Sequence, residues 1–394
     1  MTTLKILFWG SLFIIFYSYL GYGILMYFLV KLKKALGPKT AATGPSFEPE
    51  VTLVVSAFNE ADFIERKIGN TFELDYPPSK LQILFITDGS TDDTPIIIRR
   101  HENITLLHQD ERRGKVAAMN RAMQFVHRDY VIFSDANTLL NRNAIKAIVR
   151  HYADPKVGGV AGEKKVMTHE TALAAGTGEG LYWKYESFLK KLDSDFYSVV
   201  GAAGELFSLR TSLFENAGEN LIIEDFVLSL KICLKGYVIR YEPDAYAMES
   251  SSASMKEEEK RKIRISAGAF QAMVVLKDLF NIFKYPVLSF QFISHRILRW
   301  TLCPIGLVIL FLSDSTIVWI GDRGFYALFL ILQLLLYLIS LAGWLMARRN
   351  IRSKLLYVPY YFVFMNLSVF VGFQRFIRGK QSVVWEKAAR SNMA

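Results

Sequence analysis

The chain has 394 residues, 52% of them hydrophobic, and carries 47 lysines and arginines against 37 aspartates and glutamates, a net charge of +10. That length and apolar content exclude a single, wholly soluble domain. The basic residues cluster beside apolar segments, at 31–34, 260–264, 348–354 and 375–380, which fits membrane topology and anionic lipid and argues against nucleic acid as a partner.

In chain order, residues 6–30 contain no charged side chain and predict a membrane span. Only Lys5 precedes them, whereas Lys31, Lys33 and Lys34 follow, so the next segment is expected in the cytosol. The apolar run exceeds a signal-peptide core and lacks a prompt small-x-small cleavage site, so it is expected to be retained. Residues 38–49, rich in Pro, Gly, Thr and Ala, read as a linker.

An alternation then begins. Strands are predicted at 51–55, 81–86, 104–108, 130–133 and 157–161, with helices at 60–72, 92–100, 114–127 and 141–152 between them. This spacing predicts a mainly parallel, doubly wound α/β sheet. A helix over 171–192, a strand at 205–209, a helix over 224–235 and a strand at 237–242 complete the soluble region.

Residues 256–283 read as a basic amphipathic helix lying in the membrane interface, and 285–299 as its continuation along that surface. Residues 300–320 carry only Asp314, while 324–346 and 355–374 carry no charge, predicting further spans. Pro359 and Asn366 predict a broken or partly inserted last helix, and the basic tail is expected in the cytosol. The expected domains are therefore a transmembrane helix (1–34), a cytosolic α/β domain (48–255), interfacial helices (256–299), a transmembrane region (300–378) and a basic tail (379–394). Cys233 and Cys303 fall in a cytosolic helix and a span, so no disulfide is expected. The six histidines show no metal-ligand spacing.

Six polar clusters carry chemistry. Phe58-Asn59-Glu60 and Thr87-Asp88-Gly89-Ser90 follow the first two strands, at the sheet edge where an open α/β fold holds a nucleotide. Arg113-Gly114-Lys115 opens a helix, whose start favours anions and whose lysine supplies a point charge for phosphate. Ser134-Asp135-Ala136-Asn137 offers a carboxylate, Asp135, and an amide oxygen, Asn137, to Mg²⁺ or Mn²⁺ bridged to a diphosphate. In Glu224-Asp225, Asp225 is the candidate general base, with Glu224 beside it. Arg261 and Arg264 share a helical face with Gln271, and Arg264 can offset charge on a departing diphosphate. Each cluster alone also reads as a capping turn or a lipid-facing basic stripe. Their order between membrane segments turns the reading to transfer of a sugar from a nucleotide.

These motifs resemble the membrane-bound inverting glycosyltransferases of the cellulose, chitin and hyaluronan synthase family, including bacterial poly-N-acetylglucosamine synthases. The resemblance covers residues 48–275 and the layout of the flanking helices. It implies a GT-A-like nucleotide-sugar-binding domain with a mostly parallel sheet, plus transmembrane and interfacial α-helices. It also implies that Asn59, Glu60, Asp88, Lys115 and Asp135 bind a UDP-sugar, and that Asp135 and Asn137 hold the cation. Asp225 becomes the base, with Glu224 and Arg264 in support. Gly204 and Glu205 match an acceptor-side segment, and Arg261 to Gln271 match the stretch at the channel mouth. The expected product is a β-glycoside on a growing polysaccharide, made at the inner or plasma membrane by a multi-pass enzyme with a cytosolic catalytic domain; the layout leaves room for an accessory export subunit. Asn137 departs from the family's second acid, and Ile265 stands where the family has a stacking Trp. Single transfer to a lipid-linked acceptor and a catalytically inactive partner subunit are the alternatives. A dinucleotide-binding oxidoreductase is disfavoured, because Gly176-x-Gly178-x-Gly180 follows a helical pattern rather than a strand.

Overall fold

The computed structural model describes residues 1–37, 47–167, 174–216, 218–250, 254–348 and 354–382. Most of the linker and residues 383–394 of the tail lie outside them. The chain divides into two units. One is built from Lys33–Met167 and Trp183–Ser250, the other mainly from Met1–Leu32 and Ser251–Gln381.

The first unit is an α/β layer on one sheet. Its strands are β1 (Val51–Ala57), β2 (Leu81–Asp88), β3 (Thr105–Gln109), β4 (Tyr130–Asp135), β5 (Thr138–Leu140), β6 (Val157–Met167), β7 (Leu206–Arg210) and β8 (Val238–Ser250), in the order β3-β2-β1-β4-β7-β6-β8-β5. The β1–β2, β1–β4, β2–β3 and β6–β8 pairs are parallel; β7 runs antiparallel to β4 and β6, and β5 antiparallel to β8. β1 is buried along its whole length, as its continuous apolar run requires of a central strand covered on both faces. After β1 the chain moves outward to β2 and β3, then returns to place β4 on the other side. The order therefore reverses between β1 and β4, and the crevice at the carboxyl ends of those strands is where such a fold binds ligands.

Three elements differ from the sequence expectation, one of them β6, which runs on from 161 to Met167. β5 is an added short strand. The last strand does not stop at 242 but runs to Ser250, with Pro243-Asp244-Ala245 looped out where the register jumps from Gly162↔Glu242 to Glu163↔Tyr246. The glycine run at 176–180 lies within the helix Ala174–Phe196, not after a strand.

The second unit is helical. Among the described residues, four helices are long and apolar enough to cross a membrane: Thr2–Leu36, Leu302–Trp319, Gly324–Arg348 and Leu356–Ile377. Phe8, Leu310, Ile317 and Tyr326 knit the first three together, and Lys5 pairs with Asp322 at 2.7 Å. The last helix is continuous over Lys354–Ile377, contrary to the expected break. Pro359 lies inside it, past the first turn, so the helix runs on despite one lost backbone hydrogen bond. Residues 285–299 pack along the first helix, with Tyr17 donating to Ser294 Oγ (3.0 Å) and Arg299 Nε donating to the Ser18 carbonyl (3.1 Å).

Candidate active site

The predicted site residues fall into two groups. Asn59, Glu60, Asp88, Lys115, Asp135, Asn137, Gly204, Glu205, Glu224 and Asp225 all lie in the α/β unit. Arg261, Arg264 and Gln271 lie on the helix Met255–Val275 of the membrane unit. There the Arg261 guanidinium is held by buried Glu258, Nε to Oε2 at 3.0 Å and Nη2 to Oε1 at 3.2 Å, so its charge is already matched locally.

In the α/β unit the loops after β1 and β2 lock together. Asn59, at φ 51°, accepts from the Thr91 N–H at 2.8 Å and donates its own N–H to Ser90 Oγ at 3.2 Å. The Glu60 N–H donates to Thr94 Oγ1 at 2.8 Å. Asp88 ends β2, and its carboxylate accepts the Gly114 N–H at 2.6 Å and the Arg113 N–H at 3.2 Å. An acid facing the start of the helix Lys115–Met123 complements its dipole and fixes the turn that launches Lys115. A carboxylate has about four acceptor positions, so Asp88 keeps capacity for an imide N–H.

Lys115 is the hub. Its ammonium lies 2.6 Å from Asp135 Oδ1 and 3.4 Å from Glu224 Oε1, with its side chain 13% exposed. A Cβ added to Gly204 would stand 2.9 Å from Lys115 Nζ and 3.3 Å from Asp225 Oδ2, which locates all three beside one another. Burial pulls the Lys115 pKa down, but Asp135, Glu224 and Asp225 outweigh it and hold the ammonium charged. Burial raises Asp135, with Lys115 opposing and Glu205 reinforcing. Asp225 is pushed up to about 7 by burial, then by Glu224 and Glu205, against Lys115. A carboxyl titrating near neutrality and still partly open to solvent is a group able to take a proton from a substrate hydroxyl.

Asp225 sits at the start of the helix Glu224–Leu234, and the next residue, Phe226, packs its ring against Gly201. Gly201 has φ +89°, and a Cβ there would overlap that ring. Gly201→Ala should therefore displace the start of the helix and cost about 1–3 kcal/mol. Thermal melts and turnover would both fall, whereas an unchanged melt with full activity would show that Phe226 moves aside freely.

Among the described residues no group of three His, Cys, Asp or Glu side chains is arranged to hold a metal. The donor set nevertheless suits a hard cation that keeps substrate phosphates and water as most of its ligands. Asp135 supplies the carboxylate. Asn137 uses its amide nitrogen on Glu249 Oε1 at 3.3 Å, which leaves its carbonyl oxygen as the ligand atom.

Three side chains around the site escaped the sequence reading. Lys164, wholly buried, bridges Glu205 at 2.7 Å and Glu249. Lys67 underlies the Asp135 turn, and its signal was visible in the sequence: it interrupts the buried stripe Ile64, Ile68, Thr71 of the helix Ala61–Phe72 with a charge. Nothing in the sequence marks Lys164 or Glu249.

With this geometry in place, comparison with known proteins is specific. Residues 52–218 match the glycosyl transferase family 2 model. The chain is 28% identical over 271 residues to poly-beta-1,6-N-acetyl-D-glucosamine synthase of Staphylococcus aureus (strain MSSA476), covering 66% of this chain and 64% of the relative. The synthase of Staphylococcus epidermidis is 24% identical over 249 residues, covering 61% of this chain and 58% of that one. Both matches thus span less than two thirds of the relative's own length. A solved mannosyltransferase from Pyrobaculum calidifontis, in complex with GDP-Man and Mn²⁺, superposes with a TM-score of 0.70 at 23% identity over 96% of this chain and 99% of that one. The fold is GT-A-like, with apolar helices at both ends of the chain.

Proposed function

We propose that this chain is a membrane-embedded inverting glycosyltransferase that moves a hexose or N-acetylhexosamine from a UDP-sugar to a growing polysaccharide, with its α/β unit in the cytosol. The observation that carries this reading is the placement of Asp225, titrating near 7, beside the Lys115–Asp135 pair at the carboxyl edge of β4. Similarity to polysaccharide synthases supports the acceptor class, and Lys31, Lys33 and Lys34 support the orientation.

In this mechanism Asn59, Glu60 and Asp88 hold the base and ribose, and Lys115 and Asp135 hold the diphosphate. The Asp225 carboxylate takes the proton of the acceptor hydroxyl as that oxygen bonds to the anomeric carbon. The bond from that carbon to the diphosphate oxygen breaks on the opposite face, and UDP leaves with the electron pair. Lys115 offsets the charge that develops on it, a task the resemblance also assigns to Arg264. Glu224 keeps Lys115 in place, while Gly204 and Glu205 form the acceptor side, with Arg261 and Gln271 at the channel mouth. Mg²⁺ or Mn²⁺ would be held by Asp135 and the Asn137 carbonyl, and supplies charge compensation for the diphosphate.

The test is a screen of UDP- and GDP-sugars with the purified membrane protein, reading nucleotide release and then product mass. UDP-N-acetylglucosamine or UDP-glucose should be turned over, and chelation with EDTA should lower the rate at least about tenfold, with Mn²⁺ restoring it. Exclusive use of a GDP-sugar would overturn the donor assignment, and full activity in EDTA would remove the cation. Ile265, where a stacking Trp would favour a long chain, supports single transfer to a lipid as a second reading. A short, organic-soluble product would establish it.

A further inference from the structure

We propose that Lys67 is a positioning residue of the donor site: from beneath the turn between β4 and β5 it holds Asp135 and Asn137 in the arrangement that receives a nucleoside diphosphate and its cation. This rests on the proposed function and adds a residue that none of the motifs contains. Lys67 projects from the helix Ala61–Phe72 and is 0% exposed. Its ammonium lies 2.8 Å from Ser134 Oγ, 2.9 Å from the Thr138 carbonyl and 3.4 Å from Thr138 Oγ1. A lysine has three N–H donors, and all three acceptors belong to the residues that bracket Asp135 and Asn137.

The same turn is tied at two other points. The Ala136 N–H donates to the Ser56 carbonyl of β1 at 3.0 Å, and Thr138 Oγ1 donates to the Asp135 carbonyl at 2.9 Å. Without Lys67, Ser134 Oγ and the Thr138 carbonyl would lose their buried donor, and the turn would be free to repack around them. Tethering alone does not call for a charge. A neutral donor would satisfy the same acceptors, and an ammonium sealed from water with no carboxylate in its hydrogen-bond shell is costly. Burial pulls the Lys67 pKa down, and the Asp135 charge across the turn offsets only part of that cost. Lys67 and Lys115 therefore flank the turn from two sides, at a motif where Asn137 stands in for a second acid.

Two variants separate positioning from stability. Lys67→Met keeps the chain length but removes the charge and all three hydrogen bonds. Ile68→Ala hollows the apolar core on the adjoining position of the same helix and leaves the turn untouched. The full-length protein in detergent is titrated calorimetrically with UDP and Mn²⁺, and donor KM and kcat are measured alongside. Lys67→Met should weaken UDP binding and raise donor KM about tenfold, with kcat changed less. Ile68→Ala should melt lower yet bind UDP as the wild type does. Equal UDP affinity in Lys67→Met and wild type, or equal weakening in both variants, overturns the positioning role. Wild-type protein that binds neither UDP nor GDP would instead sink the functional reading, and this inference with it.

Discussion

Asp225→Asn should reduce sugar transfer by about 10³-fold or more while UDP still binds, because the amide keeps the shape of the carboxylate and cannot accept the hydroxyl proton. The pH profile gives an independent check. With the Asp225 pKa near 7, the rate should fall about tenfold for each pH unit below neutrality and level off above it, since only the ionised form works. Stability should move the other way. A carboxyl whose folded pKa lies above its unfolded value binds more protons when folded, so its contribution is favourable at low pH and is lost as pH rises toward 7. At pH 8 the neutral asparagine removes that penalty, and Asp225→Asn should melt higher than the wild type. Normal turnover in this variant, or a pH profile flat between 5 and 8, would assign the base elsewhere.

The second large effect is expected of Lys115→Met. The wild-type ammonium neutralises Asp135 and Glu224 and lowers the pKa of Asp225. Removing it leaves three carboxylates together, and breaking one partner out of a buried ionic group costs about 3–5 kcal/mol. Melting should drop, and donor KM should rise by about two orders of magnitude because the diphosphate loses its point charge. The acid limb of the pH profile should also shift upward, since Asp225 is no longer held down by a neighbouring cation. A core defect would lower the melt without moving that limb. An unmoved limb together with unchanged UDP affinity would remove Lys115 from the site.

Much of the α/β unit was legible from local pattern. β1, β2 and β4 are runs of apolar residues, each ending in a polar turn, and buried strands with ligand-side loops read that way. β7 was placed correctly in sequence, but its antiparallel direction is a property of the sheet, invisible in five residues. The second half of β8 was missed for a local reason. Pro243 and Asp244 signal a turn, and there is one, but it is a loop-out within a strand that resumes pairing with β6. The motif acids could be seen singly; that Lys115 joins Asp135 to Glu224 could not, because those residues lie 20 and 109 positions from it in the chain. Lys67 escaped the sequence reading, although its place in the Ile64–Ile68 stripe already put it indoors.

The Lys115 pairing has one more consequence. Because Asp135 and Glu224 already surround the ammonium before any donor arrives, most of the dehydration that a phosphate-binding lysine must undergo has been completed during folding. In the proposed function, an incoming nucleotide would meet a cation that only has to trade one oxyanion for another. Recognition then becomes an exchange between anions inside the cleft rather than a recruitment of charge from bulk water.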